Sequence, residues 1–140
     1  MTIRKKNIIL WVFRLLAAII MLQTLFFKFT AAEESVYIFS RLGMEPWGRI
    51  GVGIGELIAS TLILIPSATG FGAVLGLGLM SGAIFFHLTR LGIVVQNDSG
   101  QLFIYAMLVF VSCLVLVFAN RGQIIHLFYR IIKPGLWSRR

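Results

Sequence analysis

The segment LFIYAMLVFVSCLVLVFA, residues 102–119, decides the fold because no residue in it carries a charge. About 20 apolar residues are enough for an α-helix to cross the roughly 30 Å hydrocarbon core of a bilayer. Only helices and closed β-barrels satisfy their backbone hydrogen bonds in that environment, and the segment lacks the alternation of a barrel strand. It therefore predicts a membrane-spanning helix.

Three similar apolar runs precede this segment. The chain is therefore predicted to be an all-α, four-helix transmembrane bundle that forms a single membrane domain over residues 1–140. The first run is longer than the hydrophobic region of a signal peptide and is followed by Lys28, so we interpret it as a span. The predicted spans cover about 8–28, 48–66, 70–90 and 101–120.

Two of the connections also have predicted structures. The link at residues 67–70 is so short that spans two and three must form an antiparallel helical hairpin. Residues 33–42 predict a short external helix between spans one and two, closed by Gly43.

The composition disfavours other classes of protein. The 140 residues are 59% hydrophobic and 13% charged, with a mean hydropathy of +0.93. Soluble domains are typically about 45–50% apolar and 25% charged, which argues against an ordinary soluble enzyme. Intrinsic disorder is excluded because it requires low hydrophobicity. A net charge of +8 suggests nucleic-acid binding in a soluble protein, but in a membrane protein it can mark topology.

The basic residues predict the orientation of the bundle. With four spans, both termini lie on one side, and eight basic residues belong to that side: Arg4, Lys5, Lys6, Arg121, Arg130, Lys133, Arg139 and Arg140. Four belong to the other side: Lys28, Arg41, Arg49 and Arg90. This asymmetry predicts cytoplasmic termini by the positive-inside rule. It also explains the positive charge without a nucleic-acid partner.

The single cysteine, Cys113, limits the possible chemistry. It permits no intrachain disulfide and no Cys-x-x-Cys site, and the other potential ligands lack the spacing of a metal site. We therefore predict no metal and no intrinsic cofactor. Any redox chemistry then requires a bound cofactor, a quinone or the thiols of a partner.

Ionisable residues within the spans are the candidates for a site, because burying them in hydrocarbon is costly. Glu56 is predicted near the midplane, either as a neutral acid bonded between helices or as a proton or substrate site. Lys28 either extends to the headgroups or faces a pocket. His87 and Arg90 are predicted to share one face of span three. Arg14 is expected to extend toward the cytoplasmic headgroups.

Lys28, Glu56, His87 and Arg90 all fall in the outer half of the predicted bundle, so we predict a small polar pocket there, with Arg49 as a further candidate. Span four offers only Ser112 and Cys113 midway, and we interpret it as a lipid-facing wall or a contact in a homo-oligomer.

Two glycine pairs, Gly51/Gly55 and Gly78/Gly82, have the spacing of close helix–helix contacts. We interpret both as packing sites, with a ligand cradle as the alternative.

The chain resembles the DoxX family of small four-helix membrane proteins over about Arg14 to Phe118. Five motifs in order carry the resemblance: Phe27-Lys28-Phe29, Leu42-Gly43, Gly55-Glu56-Leu57-Ile58 with Leu64-Ile65-Pro66, Gly76 to Ala83 with His87-Leu88, and Asp98-x-Gly100-x-Leu102-Phe103. The resemblance implies a multi-pass protein of the bacterial inner (plasma) membrane, usually without its own cofactor. Some members are membrane subunits of a thiosulfate:quinone oxidoreductase, and others associate with oxidoreductases in stress defence.

Two hypotheses for the function follow. In the first, the chain is an accessory or quinone-linked membrane subunit of an oxidoreductase and binds a quinone or a small sulfur compound in the outer pocket. Lys28, Arg90 and Arg49 would then attract an anion, and Glu56 would relay a proton. In the second, the chain is a non-enzymatic small-molecule carrier or a membrane scaffold for a partner enzyme. Whether the chain has catalytic activity of its own is left open.

Overall fold

The computed structural model describes residues 2–132, and these residues are helical apart from short connections. The elements in chain order are α1 (Ile3–Phe29), α2 (Glu33–Arg41), α3 (Trp47–Leu64), α4 (Thr69–Phe86) with a π-helical turn (His87–Leu91), α5 (Gln101–Ala119) and α6 (Arg121–Ile132). Lys133, Arg139 and Arg140, which contribute to the predicted orientation, lie outside the described residues.

Four helices are long and apolar enough to cross a membrane: α1, α3, α4 with its π-helical turn, and α5. Only 28 to 33% of the most apolar stretch of each is buried within the protein. Many large apolar side chains therefore face outward, as expected for helices surrounded by lipid. The predicted all-α fold with four candidate membrane-spanning helices is confirmed, and it suggests a multi-pass integral membrane protein.

The four long helices form a ring in which α1 and α4 each pack against both α3 and α5. The centre of the ring contains fully buried residues from each helix: Ala17, Ala59, Ile63, Ala73, Val109, Cys113 and Leu116. Three of these are alanines, whose small side chains let helix backbones approach closely. The interpretation of span four as a lipid-facing wall or an oligomer contact leaves out its part in the core, because α5 buries one face here and exposes large apolar side chains elsewhere.

The bundle has two distinct ends. We call the end at the α3–α4 connection the hairpin end, and the end at α2 and residues 92–100 the loop end. The predicted antiparallel hairpin is confirmed near the hairpin end, where α3 and α4 touch at Gly72. A Cβ atom at Gly72 would lie 2.6 Å from the Ile63 nitrogen and 2.7 Å from the Ala59 oxygen. We call the part of the bundle from the hairpin end to the level of Gly76 the hairpin half, and the remainder the loop half.

At the hairpin end, α6 is attached to the connection between α3 and α4. The Gln123 side chain donates from Nε2 to the Pro66 carbonyl (2.8 Å) and accepts at Oε1 from the Gly70 N–H (2.9 Å). These bonds satisfy the Gly70 N–H, one of the first donors of α4, which have no partner within the helix, and they add a donor to the Pro66 carbonyl in the turn.

At the loop end, α2 provides the short helix predicted between the first two spans. Glu33 and Glu34 lie in its first turn, where acidic side chains interact favourably with the positive end of the helix dipole. The chain turns after α2 at Gly43, whose φ of +68° suits glycine. Ser35 and Phe39 are buried, so α2 is packed onto the loop half rather than lying free of it.

Candidate functional site

A cavity of about 790 Å³ occupies the loop half of the bundle. Its walls come from α1, α3, α4 and α5, and α2 contributes Ser35, Ile38 and Phe39. The lining is mainly apolar, with a few polar side chains. Val74 and Gly78 line the cavity and are exposed, so the cavity opens to the outside of the bundle along α4. This combination of size and lining is typical of a small-molecule site.

The strongest polar cluster of the cavity joins α1 to α3. Lys28 Nζ lies 2.9 Å from Glu56 Oε2 and 3.0 Å from Thr24 Oγ1. The Thr24 hydroxyl lies 3.1 Å from the same Glu56 oxygen and 2.8 Å from the Met21 carbonyl, and its single hydrogen can be donated to either. The side chains of Lys28 and Glu56 are only 13% and 5% exposed. Glu56 is therefore a charge-paired group within the membrane-spanning part of the bundle.

The direction of the side chains explains how Lys28 reaches Glu56. Every Cα–Cβ bond of an α-helix is tilted toward the N-terminus of that helix. Because α1 and α3 are antiparallel, the Lys28 side chain extends toward the hairpin end and the Glu56 side chain toward the loop end. The two groups therefore meet, although their backbones lie at different depths. Thr24, one turn before Lys28, supplies an oxygen between them.

Arg49 lies in the same region, but its guanidinium makes structural contacts. It bonds Glu45 through Nε (2.9 and 3.0 Å) and Nη2 (2.7 Å), and Nη1 donates to the Lys28 carbonyl. These bonds join the last turn of α1 to the first turn of α3. Arg49 is buried and does not line the cavity, so it positions Lys28 rather than facing a ligand.

His87 lines the cavity, whereas Arg90 is exposed and does not. The prediction that they share a face is wrong because residues 87–91 form a π-helical turn. A π-helix has more residues per turn than an α-helix, so residues three apart, such as His87 and Arg90, no longer lie on the same face. His87 Nδ1 lies 2.8 Å from the Gly92 carbonyl and must donate to it. In the neutral ring, Nε2 is then the acceptor.

Two acidic residues, Glu34 and Asp98, lie at the loop end of the cavity. Burial alone would raise the pKa of Asp98, but N–H bonds from Leu102, Val95 and Gly100, together with the nearby His87, outweigh burial and lower it. Burial, and then the charge of Asp98, raise the pKa of Glu34. Asp98 therefore holds the start of α5 as a carboxylate, while Glu34 is the carboxyl that protonates more readily.

The structure corrects the interpretation of the glycine pairs. A Cβ atom at Gly51, Gly78 or Gly82 would have no atom within 4 Å, so none of the three makes a close helix contact. Gly55 differs from these three, because a Cβ atom there would lie 3.3 Å from the Leu79 side chain, and it therefore packs closely against α4. Gly78 and Gly82 instead line the cavity. This position is compatible with the alternative interpretation, in which the glycines form a cradle for a ligand.

Seven polar residues that line the cavity were not among the predicted site residues: Gln23, Thr24, Glu34, Ser35, Asp98, Gln101 and Tyr105. Thr24 appeared only as an interruption of an apolar run, although its place one turn before Lys28 was a usable signal. Gln101 and Tyr105 have the same spacing in the first two turns of α5, and Gln101 Nε2 donates to the Tyr105 hydroxyl at 2.6 Å. The site thus includes groups from α5.

Among the side chains that the structure describes, no group of three or more His, Cys, Asp or Glu is placed to hold a metal ion. Cys113 is fully buried in the core, and it is not a cavity residue.

The structure brings together Lys28, Glu56 and His87 of the five predicted site residues around one cavity, and leaves Arg49 and Arg90 outside its lining. Comparisons with protein-family models, curated proteins and solved structures found no match to this chain. The resemblance to the DoxX family therefore stays a prediction.

Proposed function

We propose that the chain is an integral membrane protein of the DoxX type, which binds a neutral amphipathic molecule, in particular a quinone, for a partner oxidoreductase. The single observation that carries the proposal is the cavity, which combines an apolar interior with the Lys28–Thr24–Glu56 cluster and opens along α4. We further propose that the loop end faces the outside of a bacterial inner membrane. The excess of basic residues at the other end supports this orientation.

The residues of the cavity fit the chemistry of a quinone. Lys28 has three N–H donors, and its contacts with Thr24 and Glu56 use two of them. The third can donate to a ring oxygen. His87 Nε2, with Nδ1 committed to Gly92, can accept a proton from a hydroxyl. A bound quinone would supply two-electron, two-proton chemistry, with the electrons coming from the partner. The protein would bind the ring and exchange protons through His87 and Glu56.

The charge of the lining favours a neutral ligand over a small sulfur anion. One cationic side chain, Lys28, lines the cavity together with three carboxyl groups, Glu34, Glu56 and Asp98. Arg49 and Arg90, which the first hypothesis used to attract an anion, do not line it. An anion would therefore meet unfavourable charge, whereas an uncharged quinone would not.

A binding role is also better supported than transport across the membrane. The fully buried residues Ala17, Ile63, Cys113 and Leu116 lie between the cavity and the hairpin end, and none of them lines the cavity. A carrier would have to open this core, in which helix backbones are in direct contact at Gly72. The scaffold alternative requires no ligand and is tested by the same experiment.

The experiment is native mass spectrometry of the detergent-extracted protein, with extraction of bound quinone. We compare the wild type with Gly82→Leu, which places a side chain in the cavity, and with Gly51→Leu as a control. Both glycines have open space at the Cβ position, but Gly51 does not line the cavity. We expect quinone in the wild type and in Gly51→Leu, and at least a tenfold loss in Gly82→Leu.

A wild type without quinone, or equal amounts in Gly82→Leu and Gly51→Leu, would contradict the proposal. Chemical cross-linking in membranes, followed by identification of the linked subunits, tests for the partner. A quinone-loaded protein that cross-links to no oxidoreductase would remove the partner from the proposal.

A further inference from the structure

Arg14 of α1 is a buried charge without a polar partner. The residue is only 7% exposed, and its Nε has no hydrogen-bond partner among the described residues. Its one recorded contact is with the Trp11 ring, whose centroid lies 5.0 Å from the guanidinium carbon. The expectation that Arg14 extends toward the headgroups stays a prediction. Nε is fully buried, whereas the two Nη nitrogens keep some accessible surface at the edge of the bundle. A charge in so apolar a setting with no anionic partner favours the binding of an anion.

No acidic side chain of the described residues can supply that anion. The sequence contains five acidic residues, and four of them belong to the loop end: Glu33, Glu34, Glu45 and Asp98. The fifth, Glu56, is bonded to Thr24, which lies ten residues along α1 from Arg14. At the rise of an α-helix, ten residues correspond to about 15 Å. The counter-charge of Arg14 therefore does not come from any acidic side chain of the described residues.

The register of the helices places Arg14 at the hairpin end. The Met21 methyl group lies near Gly76, 3.7 Å from the position of an added Cβ atom. Since α1 and α4 run in the same direction, Arg14 lies level with Thr69, where α4 begins. The outward-facing neighbours of Arg14 on α1, Trp11 and Leu15, are 42% and 46% exposed. A tryptophan at the end of a membrane-spanning segment is typical of the headgroup region.

We propose that Arg14 binds the phosphate of an anionic phospholipid at the hairpin end. The guanidinium is always charged, and its planar set of N–H donors matches the oxygens of a phosphate. The exposed apolar side chains beside it suit the acyl chains of the same molecule. A lipid can thus provide both the anion and the apolar contact, at the depth where phosphates lie.

The test measures thermal unfolding in nanodiscs made of phosphatidylcholine alone or with a quarter of phosphatidylglycerol. We expect phosphatidylglycerol to raise the Tm of the wild type by about 5 °C or more. Arg14→Gln should lose this rise. Arg121→Gln is the matched control, because Arg121 is an exposed arginine at the same end, and it should keep most of the rise. Arg14→Lys keeps the charge but not the planar donors, so it should retain part of the rise.

Three results would overturn the proposal. The first is an equal rise in wild type and Arg14→Gln. The second is stabilisation of the detergent-solubilised wild type by inorganic phosphate alone, which would indicate a site for a free anion. The third is a protein subunit that co-purifies with the wild type but not with Arg14→Gln, which would assign the anion to a partner. If Arg14→Gln does not fold, native mass spectrometry supplies the test, with phosphatidylglycerol adducts expected on wild type and Arg121→Gln and fewer on Arg14→Lys. Equal adducts on all three would contradict the proposal.

Discussion

The glycines of α4 have opposite surroundings in the two halves of the bundle. In the hairpin half, a Cβ atom at Gly72 would collide with the backbone of α3, and one at Gly76 would lie 2.8 Å from Cys113 Sγ. In the loop half, Cβ atoms at Gly78 and Gly82 would enter open space at the cavity. One helix therefore uses the same residue type first to bring helices together and then to leave room between them.

This comparison shows that glycine spacing alone does not identify a packing site. Gly78 and Gly82 have the four-residue spacing of a close contact, and so do Gly72 and Gly76. What distinguishes them is the space at each Cβ position, which neighbouring atoms fill at Gly72 and Gly76 and which is open at Gly78 and Gly82. Experiments that treat the two halves alike should therefore give different results.

The largest effect is expected for Gly72→Ala. The added Cβ atom would lie 2.6 Å from a backbone nitrogen of α3, and a backbone atom cannot move aside without separating the helices. We expect a loss of about 3 kcal/mol or more in the free energy of unfolding, at the upper end of overpacking effects. Thermal unfolding in detergent measures the change, with Gly78→Ala as the matched control. Equal stabilities of the two variants would remove the distinction between the halves.

The second prediction tests the polar cluster of the loop half. Glu56→Gln removes the charge that neutralises Lys28, at a site where the two side chains are 13% and 5% exposed. We expect a loss of about 2 kcal/mol in the free energy of unfolding. This is less than the cost of breaking a fully buried ion pair, because the cavity admits solvent. The double variant Lys28→Met/Glu56→Gln should recover at least half of the loss in a double-mutant cycle. Additive losses in the double variant would show that the two charges are not coupled.

The third prediction concerns the start of α5. The two carboxylate oxygens of Asp98 accept three N–H bonds. Asp98→Asn keeps only one acceptor oxygen, so we expect a loss of about 1 kcal/mol in the free energy of unfolding at pH 7. Because the folded state lowers the pKa of Asp98, its contribution is present above the ordinary value near 3.9. It disappears as the pH falls through the lowered value. Urea unfolding at several pH values should show the two proteins converging in acid, and a constant difference would contradict the assignment.

The smallest effect is expected for Gly78→Ala. The new methyl group meets no atom within 4 Å, and alanine is a better helix former than glycine. We expect a gain of about 0.5 kcal/mol in the same unfolding measurement. A loss of about 1 kcal/mol or more would mean that α4 is in closer contact here than the cavity indicates.

The sequence predicts the fold well because apolar length is a property of each segment by itself. The four long helices, the hairpin and the helix at Glu33–Arg41 all follow from local patterns. The site is less predictable because its geometry depends on how helices face one another. The partnership of Thr24 with Glu56 arises from opposite side-chain directions on antiparallel helices. The separation of His87 from Arg90 arises from a π-helical turn, for which the sequence has no clear periodic signal.

The two bonds of Gln123 have a consequence for the order in which the protein is made. They join Gln123 to Gly70, 53 residues earlier, and to Pro66, 57 residues earlier. During synthesis, α3 and α4 leave the ribosome well before Gln123, which bonds the connection between them. Water must hydrate that turn until the end of α5 and the first residues of α6 have emerged. A helix that is synthesised after α5 thus completes the connection between α3 and α4.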